Sequence, residues 1–457
     1  MTDTTDTMTS DQWSLPAVAS PDVDLPVIDD VDVVVVGGGA AGVAAATTVA
    51  ESGRSVVLIE RYGFCGGAAV AGMSGTICGL YLASERVGRP EQVVFGFAER
   101  FRQELETRGG LTQPQAYGKT WTVAHDPLVW REAADFLLAR AGVRVLFHTT
   151  MTGVLLEGDR HRGVVVDSTA GRGLVLADRT IDASGDGSVA ARSGHRFVMG
   201  DHGRIQNPTM FFRLANVDVP RFRAAFGQDS ICPPWVTAAI DAYEQATLPR
   251  NKIFVFESPR PHELLVNATR LVGPAGRMLD VVDPADFTYA ETAGRRQVRD
   301  YAGFLVATVP GCEAAYVVDT GVEVGIRQTR TICGTEWLTN DDVVTARKRT
   351  DAICRSPWPI ELHDGSRPRL EWLLDDFYEI PYRTLVPEAF TGIIAAGRCL
   401  SAQHEALASA RVTAQCFEYG HAAGIATVVS LADGEPSYDK IDVQRVRDGM
   451  AAGGSRL

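Results

Sequence analysis

The sequence predicts an α/β protein: a Rossmann-like dinucleotide-binding domain that carries a β-meander and is interrupted by an inserted α+β domain. Three observations predict it. A short, almost uncharged β run at 31–36 breaks into Gly37-Gly38-Gly39 and opens an alanine-rich helix. Between 143 and 183, short apolar runs separated by glycine turns have the texture of hairpins. A last apolar strand at 392–396, followed by a long small-residue helix, returns only near the end of the chain, so the first domain is expected to be discontinuous.

The first element is a βαβ unit. Gly37, Gly39 and Gly42 fit G-x-G-x-x-G between a strand and a helix, the context the motif requires. Gly37 permits the tight turn, Gly39 lets the backbone approach a pyrophosphate, and Gly42 lets helix and strand pack closely. The helix from Ala41 to about Ser52 then aims free N–H groups and the positive end of its dipole at the phosphates. A second strand at 55–59 ends in Glu60, roughly 20 residues beyond the glycines, where a ribose hydroxyl is held.

After a loop at 61–69, a helical pattern spans 91–108. Asp126 as N-cap and Pro127 in the first turn open another helix, which runs to Ala141 and stops at Gly142. A short strand is expected at 143–147. Three strands at 151–156, 163–166 and 173–177 form the meander. A separate short strand at 180–183 leads into Ser184-Gly185-Asp186-Gly187-Ser188 and a helix. From about 197 to 381, aromatics, prolines and charges are interspersed and no second glycine fingerprint occurs; a helix is expected at 342–353 and a turn at 364–368. Beyond the strand at 392–396 come Gly397-Arg398, a loop, and a helix from about 410 to 431. The expected layout is a disordered tail at 1–30, a nucleotide-binding domain made of 31–196 and 385–435, a substrate domain at 197–384, and a C-terminal tail at 436–457.

Composition narrows the classes. The 457 residues suffice for two or three domains, and 45% apolar content is ample for sizeable cores. A net charge of −13 repels phosphate backbones and anionic membranes, so no nucleic-acid or membrane partner is expected. The first thirty residues have no basic or apolar signal region, and the apolar stretch at 31–50 is a buried βα unit and not a membrane span, so a cytoplasmic protein is expected. The 8 cysteines form no C-x-x-C pair and show no zinc spacing, so no metal is expected and most are read as buried reduced thiols.

Several segments together resemble the FAD-dependent oxidoreductases of the glutathione-reductase structural type: residues 33–42, Gly66-Gly67, Ile181-Asp182-Ala183-Ser184-Gly185-Asp186-Gly187, and Ile393-Ile394-Ala395-Ala396-Gly397-Arg398. Three further segments, 325–332, 367–383 and 397–406, are similar to a bacterial "FAD-dependent oxidoreductase" group. The resemblance covers about 31 to 432 and is specific for fold and cofactor, poor for substrate. It implies FAD, with its pyrophosphate on Gly37, Gly39, Ala41 and Gly42 and its adenosine ribose on Glu60. Arg61 then either flanks the adenine or is a solvated arginine. Gly66 and Gly67 would lie against the flavin side, Met151 would offer backbone groups to the adenine, and the turn Ser184-Gly185-Asp186 would close over the cofactor. Many relatives end the last strand in Gly-Asp, whose acid binds the ribityl chain. Here Gly397-Arg398 stands instead, which makes Arg398 a candidate phosphate ligand.

On the catalytic side, hydride removal to flavin N5 needs a C–H bond held over that atom, and often a base for the neighbouring proton. His404, after the final strand, is the first candidate base, with Glu405 orienting it or acting itself; the alternatives are a structural histidine and a loop salt bridge. Arg411, at the start of the last helix, is a candidate for stabilising reduced flavin or for binding a substrate carboxylate. Arg327 and Tyr382 are candidate substrate contacts. Cys65 reads as a plain small residue, a redox thiol or a covalent flavin attachment, and with no second cysteine close by, disulfide reduction is disfavoured.

With one dinucleotide fingerprint, electrons are expected to come from the organic substrate. The expected function is a FAD-dependent dehydrogenase or oxidase removing a hydride from a small organic substrate, with O₂, a quinone or another protein as acceptor; a homodimer is allowed. The alternatives are an NAD(P)H-using flavin reductase or monooxygenase, and a non-catalytic flavin-binding or tRNA-modification subunit, the latter disfavoured by the acidic charge.

Overall fold

Four consecutive valines, Val33 to Val36, are each 6% exposed or less, because helices and strands cover both faces of the sheet in which they lie. The computed structural model describes residues 25–85 and 88–457. The central sheet has seven strands. Five run parallel in the order Arg144–Leu146, Val56–Ile59, Val27–Val36, Gly171–Asp182 and Ile393–Ala395. The antiparallel meander of Thr150–Glu157 and Arg160–Ser168 joins it through the same strand Gly171–Asp182.

That strand is one element of 12 residues where two short ones were expected. The charged pair Asp178-Arg179 lies within it. Arg179 is 2% exposed, but its Nε donates to Ser430 Oγ at 2.7 Å and a second nitrogen donates to Asp178 O at 2.8 Å. The strand thereby carries the chain from the meander into the parallel sheet and delivers the turn at Ser184.

Behind the glycine turn, helix Ala40–Glu51 crosses the long helix Thr413–Asp433 with almost no side chain between them. A Cβ on Gly420 would lie 2.0 Å from Ala41 O, and one on Gly424 would lie 3.0 Å from Ala45 O. The helix Pro127–Ala141 forms as its caps dictate: Asp126 Oδ1 accepts from Leu128 N at 2.7 Å, and Gly142 sits at φ +83°.

Other boundaries differ from expectation for local reasons. The helix expected over 91–108 begins only at Phe97, behind Gly96 at φ +63°. The helix expected over 342–353 is cut to Asn340–Val344, with Ala346 at φ +52° beyond it; Ala352–Ser356 is instead a strand paired with Tyr378–Pro381. The helix expected from about 410 begins at Thr413, after Arg411 and Val412, and the loop expected before it contains the helix His404–Ala410. Residues 436–457, expected as a tail, contain the helix Val443–Ala452, which buries Val446 and Met450. Most of the expected N-terminal tail lies outside the described residues, and Val27 to Asp30 already belong to the first strand.

A second hydrophobic core draws only on residues between 210 and 326. Its antiparallel sheet has the order Phe254–Glu257, Leu264–Asn267, Phe212–Ala215, Tyr316–Thr320 and packs with the helix Pro284–Thr308. A small apolar cluster that includes Tyr117, Phe254, Phe256, Trp358 and Val412 sits between this unit and the first. Among the described residues no helix is long and apolar enough to cross a membrane.

Candidate active site

A cavity with about 1920 Å³ of empty space, open to solvent, runs from the glycine turn to the sheet of the inserted unit. Its lining joins the first βα turn to the strands of the inserted unit, so an extended cofactor at one end leaves the other end for a second molecule. At the glycine end, Gly37 sits at φ +102°, and a Cβ there would lie 2.5 Å from Ala183 O. A Cβ on Gly42 would lie 1.8 Å from Gly37 O, so Gly42 shapes the turn from behind and does not line the cavity. Gly39 would meet only Gly67 Cα, at 3.8 Å, which leaves its backbone face open. Gly66 N donates to Gly38 O at 2.8 Å and holds the second glycine pair against the first.

Glu60 is 6% exposed and accepts Gly38 N–H at 2.7 Å and Tyr62 N–H at 2.9 Å. Burial raises its pKa against the pull of those two donors. Arg61 forms an ion pair with Glu323, whose Oε2 also accepts from Tyr62 OH at 2.5 Å; the loop around Glu323 comes from the inserted region and is thus clasped to the first domain. The turn at Ser184 is built on the buried carboxylate of Asp182, which accepts from Ser184 Oγ at 2.6 Å and from the amides of Val189 and Ala190 at 2.9 and 3.1 Å. Asp186 Oδ1 accepts from Arg398 at 2.6 Å and from Thr329 Oγ1 at 2.8 Å. Burial opposes the Asp186 charge, but Arg398 and Arg61 outweigh it and lower its pKa. Arg330 supports the same turn by donating to Asp186 O at 3.3 Å.

The far end is a chamber with aromatic walls, Tyr117, Phe211, Phe254 and Phe256, and a polar cluster of Glu361, His363, Arg327 and Arg411. Glu361 and His363 stand two residues apart at the strand Ile360–Leu362, so alternation points both to one face. His363 Nε2 lies 2.8 Å from Glu361 Oε1, Tyr117 OH donates to the same oxygen at 3.0 Å, and Trp358 Nε1 donates to the other at 3.3 Å. Burial works against the Glu361 charge, but the hydrogen bond from His363 and the Arg411 and Arg327 charges hold its pKa below the usual carboxylate range. Burial and the Arg327 charge push the His363 pKa well below its usual value. A carboxylate only accepts, so Nε2 carries the proton in neutral His363, and Nδ1 is left with a lone pair. One residue ties the cluster together through its backbone: Asn207 N donates to His363 O at 2.9 Å, and Asn207 O accepts from Arg327 at 2.7 Å.

Of the residues singled out in the sequence, Gly37, Gly39, Ala41, Glu60, Arg61, Gly66, Gly67, Met151, Ser184, Gly185, Asp186, Gly397, Arg398, Arg327 and Arg411 all line this one cavity. His404, Glu405 and Tyr382 do not. His404 opens the helix His404–Ala410 and feels the charges of Asp201 and Asp364, away from the cavity. Glu405 is held at the surface by an ion pair with Arg369. Tyr382 is 1% exposed, and its OH donates to Tyr438 O at 3.0 Å. Cys65 is fully buried under Gly38 and off the cavity wall; burial raises its thiol pKa well above the usual range. The dyad of Glu361 and His363 is missed by sequence reasoning, where the only signal is E-x-H running off the end of the three-residue strand Ile360–Leu362. Among the described residues no group of three or more His, Cys, Asp or Glu is placed to hold a metal ion.

The cavity fits FAD on two counts. Gly39 and Gly67 face each other without side chains, leaving a cradle for a diphosphate at the N-terminus of helix Ala40–Glu51. Arg398 and Arg192, both on the cavity wall, have Nε atoms that are buried with no partner.

Comparison with known proteins bears on the same point. Among solved structures, a geranylgeranyl bacteriochlorophyll reductase-like protein from Thermoplasma acidophilum is 14% identical, with 93% of this chain and 87% of that chain covered and a TM-score of 0.51. The p-nitrophenol 4-monooxygenase of Pseudomonas putida is 11% identical, with 93% and 89% covered and a TM-score of 0.48. At 14% identity the likeness to the first is one of fold. No curated protein matches the chain. The family model described as FAD dependent oxidoreductase matches residues 32–450, a span that takes in the glycine turn and the whole cavity wall: the chain belongs to the FAD-dependent oxidoreductase family.

Proposed function

We propose that this flavoenzyme is a dehydrogenase or oxidase that removes a hydride from a small organic substrate held in the aromatic chamber. The observation that carries the reading is the pair of His363 and Glu361, 2.8 Å apart, on the wall of the same cavity as the glycine cradle. FAD, when bound, supplies a hydride acceptor at N5. The chain's own part is to place the substrate and manage its proton. The substrate C–H leaves as hydride, the adjacent O–H or N–H gives its proton to His363 Nδ1, and a C=O or C=N bond forms. The Glu361 carboxylate keeps the imidazole in the tautomer that presents Nδ1 and stabilises the imidazolium once the proton has moved.

Gly37, Gly39, Ala41, Gly66 and Gly67 would hold the FAD diphosphate region, Glu60 the adenosine ribose, and Met151 the adenine through its backbone. Arg398, paired with Asp186, would face the phosphates or ribityl chain. The test is anaerobic mixing of the FAD-loaded protein with panels of hydroxy compounds, amines and saturated acyl compounds. Loss of the flavin absorption band with one class supports the reading. Bleaching by NADPH alone, with none of the organic compounds effective, would overturn it in favour of a nicotinamide-dependent reductase or monooxygenase.

A further inference from the structure

The chamber holds more positive charge than its own residues neutralise. Arg327 and Arg411 line the chamber, and Arg250 stands behind its wall with its guanidinium over the Phe254 ring; Arg327 feels both of the other charges, and among the described residues Glu361 is the carboxylate that acts on all three. Their hydrogen bonds go to neutral acceptors. Arg250 donates to Lys252 O and Asn267 Oδ1, Arg327 to Asn207 O and Asn267 Oδ1, and Arg411 to Gln206 Oε1. Nη2 of Arg250 and Nε of Arg411 are buried with no partner. Burial lowers the pKa of all three, and for Arg327 the Arg250 and Arg411 charges lower it further. Buried cations without counter-ions are costly to hold. A chamber built this way is complete when a ligand brings the anion.

We infer that the substrate is an organic carboxylate with an apolar body, its carboxylate received by Arg327 and Arg411 and its body packed against Phe211, Phe254, Phe256 and Tyr117. The planar guanidinium fork matches a carboxylate in two parallel hydrogen bonds, and the walls offer aromatic surface with Tyr117 and Phe254 edge to face at 5.2 Å. Arg411 also feels Arg398 at the cofactor side of the cavity as well as Glu361 in the chamber. A carboxylate seated on it would share one cavity with the cofactor and with His363. The inference rests on the hydride-transfer reading for the chemical step after binding, but not for binding itself.

The test is calorimetric titration of the FAD-loaded protein with benzoate and with benzamide, which share a ring and differ in charge. Benzoate is expected to bind at least tenfold more tightly than benzamide. Arg411→Met and Arg327→Met are each expected to weaken benzoate at least tenfold, with Arg327→Lys recovering part of the loss. Equal affinity for the two probes, no benzoate binding, or unchanged benzoate affinity in folded, FAD-loaded Met variants would overturn the inference. The comparison of probes on the unmodified protein decides the matter even where a variant fails to fold. If benzoate binds as stated but no carboxylate, alcohol or amine reduces the flavin, the anion site stands and the hydride-transfer reading falls. If neutral compounds bleach the flavin and benzoate does not bind, the reverse holds.

Discussion

At position 363 the chemistry depends on which form of the imidazole is present. Burial and Arg327 keep His363 neutral, so Nδ1 can take a proton at any pH above a folded-state value that lies well below 6.5. Flavin reduction by a substrate that does not itself titrate is therefore expected to be independent of pH between about 6 and 8 and to fall only in more acidic solution. A stopped-flow pH profile checks this, and a drop centred near the ordinary histidine value of about 6.5 would contradict it. His363→Gln keeps the side chain polar but removes the base. It is expected to slow flavin reduction about 10²- to 10⁴-fold, with FAD content and benzoate affinity nearly unchanged. The sequence points instead to His404, because a His-Glu pair follows the last strand and its charge changes near neutrality. What it cannot display is that His404 begins a helix and is turned toward Asp201 and Asp364, whereas Glu361 and His363 are made neighbours by the alternation of a strand too short to announce itself.

At the scale of elements, the helix that carries Ala41 is seated against the long C-terminal helix through missing side chains. A methyl at Gly420 would lie 2.0 Å from Ala41 O, a backbone atom that can move only with its whole helix. Gly420→Ala is expected to destabilise the protein by about 1–3 kcal/mol despite alanine's better helix propensity, and to weaken FAD binding because the displaced helix is the one that opens on the cavity. Urea unfolding and FAD titration measure the two effects. The clasp of Glu323 on Arg61 and Tyr62 makes a second element-level prediction. Glu323→Ala frees the inserted loop from the first domain, so FAD is expected to dissociate faster, with the melting temperature of the apoprotein changing little; fluorescence recovery on FAD release reads it. The glycine turn and the Asp126-capped helix are legible in the sequence because their signals are local, a motif and a cap within a few residues. The helix expected over 342–353 fails because Ala352–Ser356 pairs with Tyr378–Pro381, a partner roughly 25 residues away that outweighs local propensity.

Across the whole molecule, although Leu338, Ile353 and Tyr378, expected in the substrate domain, pack into the first core, the late return of the chain to the first sheet is legible in the apolar strand at 392–396, found at Ile393–Ala395. The joining of meander and sheet by one strand is not, because the charge of Arg179 is absorbed by Ser430, on a helix 251 residues later in the chain. The same deep burial of polar groups sets how the fold responds to acid. His125 and His161 are both fully buried, and burial lowers their pKa to about 4 and about 3. The ring of His125 packs against Trp130 at 4.5 Å with neither nitrogen bonded, so burial opposes protonation inside the fold and Asp126 offsets it only in part. In the unfolded chain both rings take up protons near the ordinary value of about 6.5. Below that pH the unfolded state binds more protons than the folded one, so stability is fully present above about 6.5 and is lost as pH falls toward each folded value, at up to about 1.4 kcal/mol per pH unit for each group. The urea midpoint, measured at saturating FAD, is therefore expected to drop steadily from about pH 7 to about pH 5. His125→Leu removes one of the two titrating rings while keeping an apolar contact on Trp130, and it should reduce that slope by about 1 kcal/mol per pH unit. A parent midpoint that does not move over this range would mean that these histidines are already protonated in the folded protein, and that its interior is wetter than their burial implies.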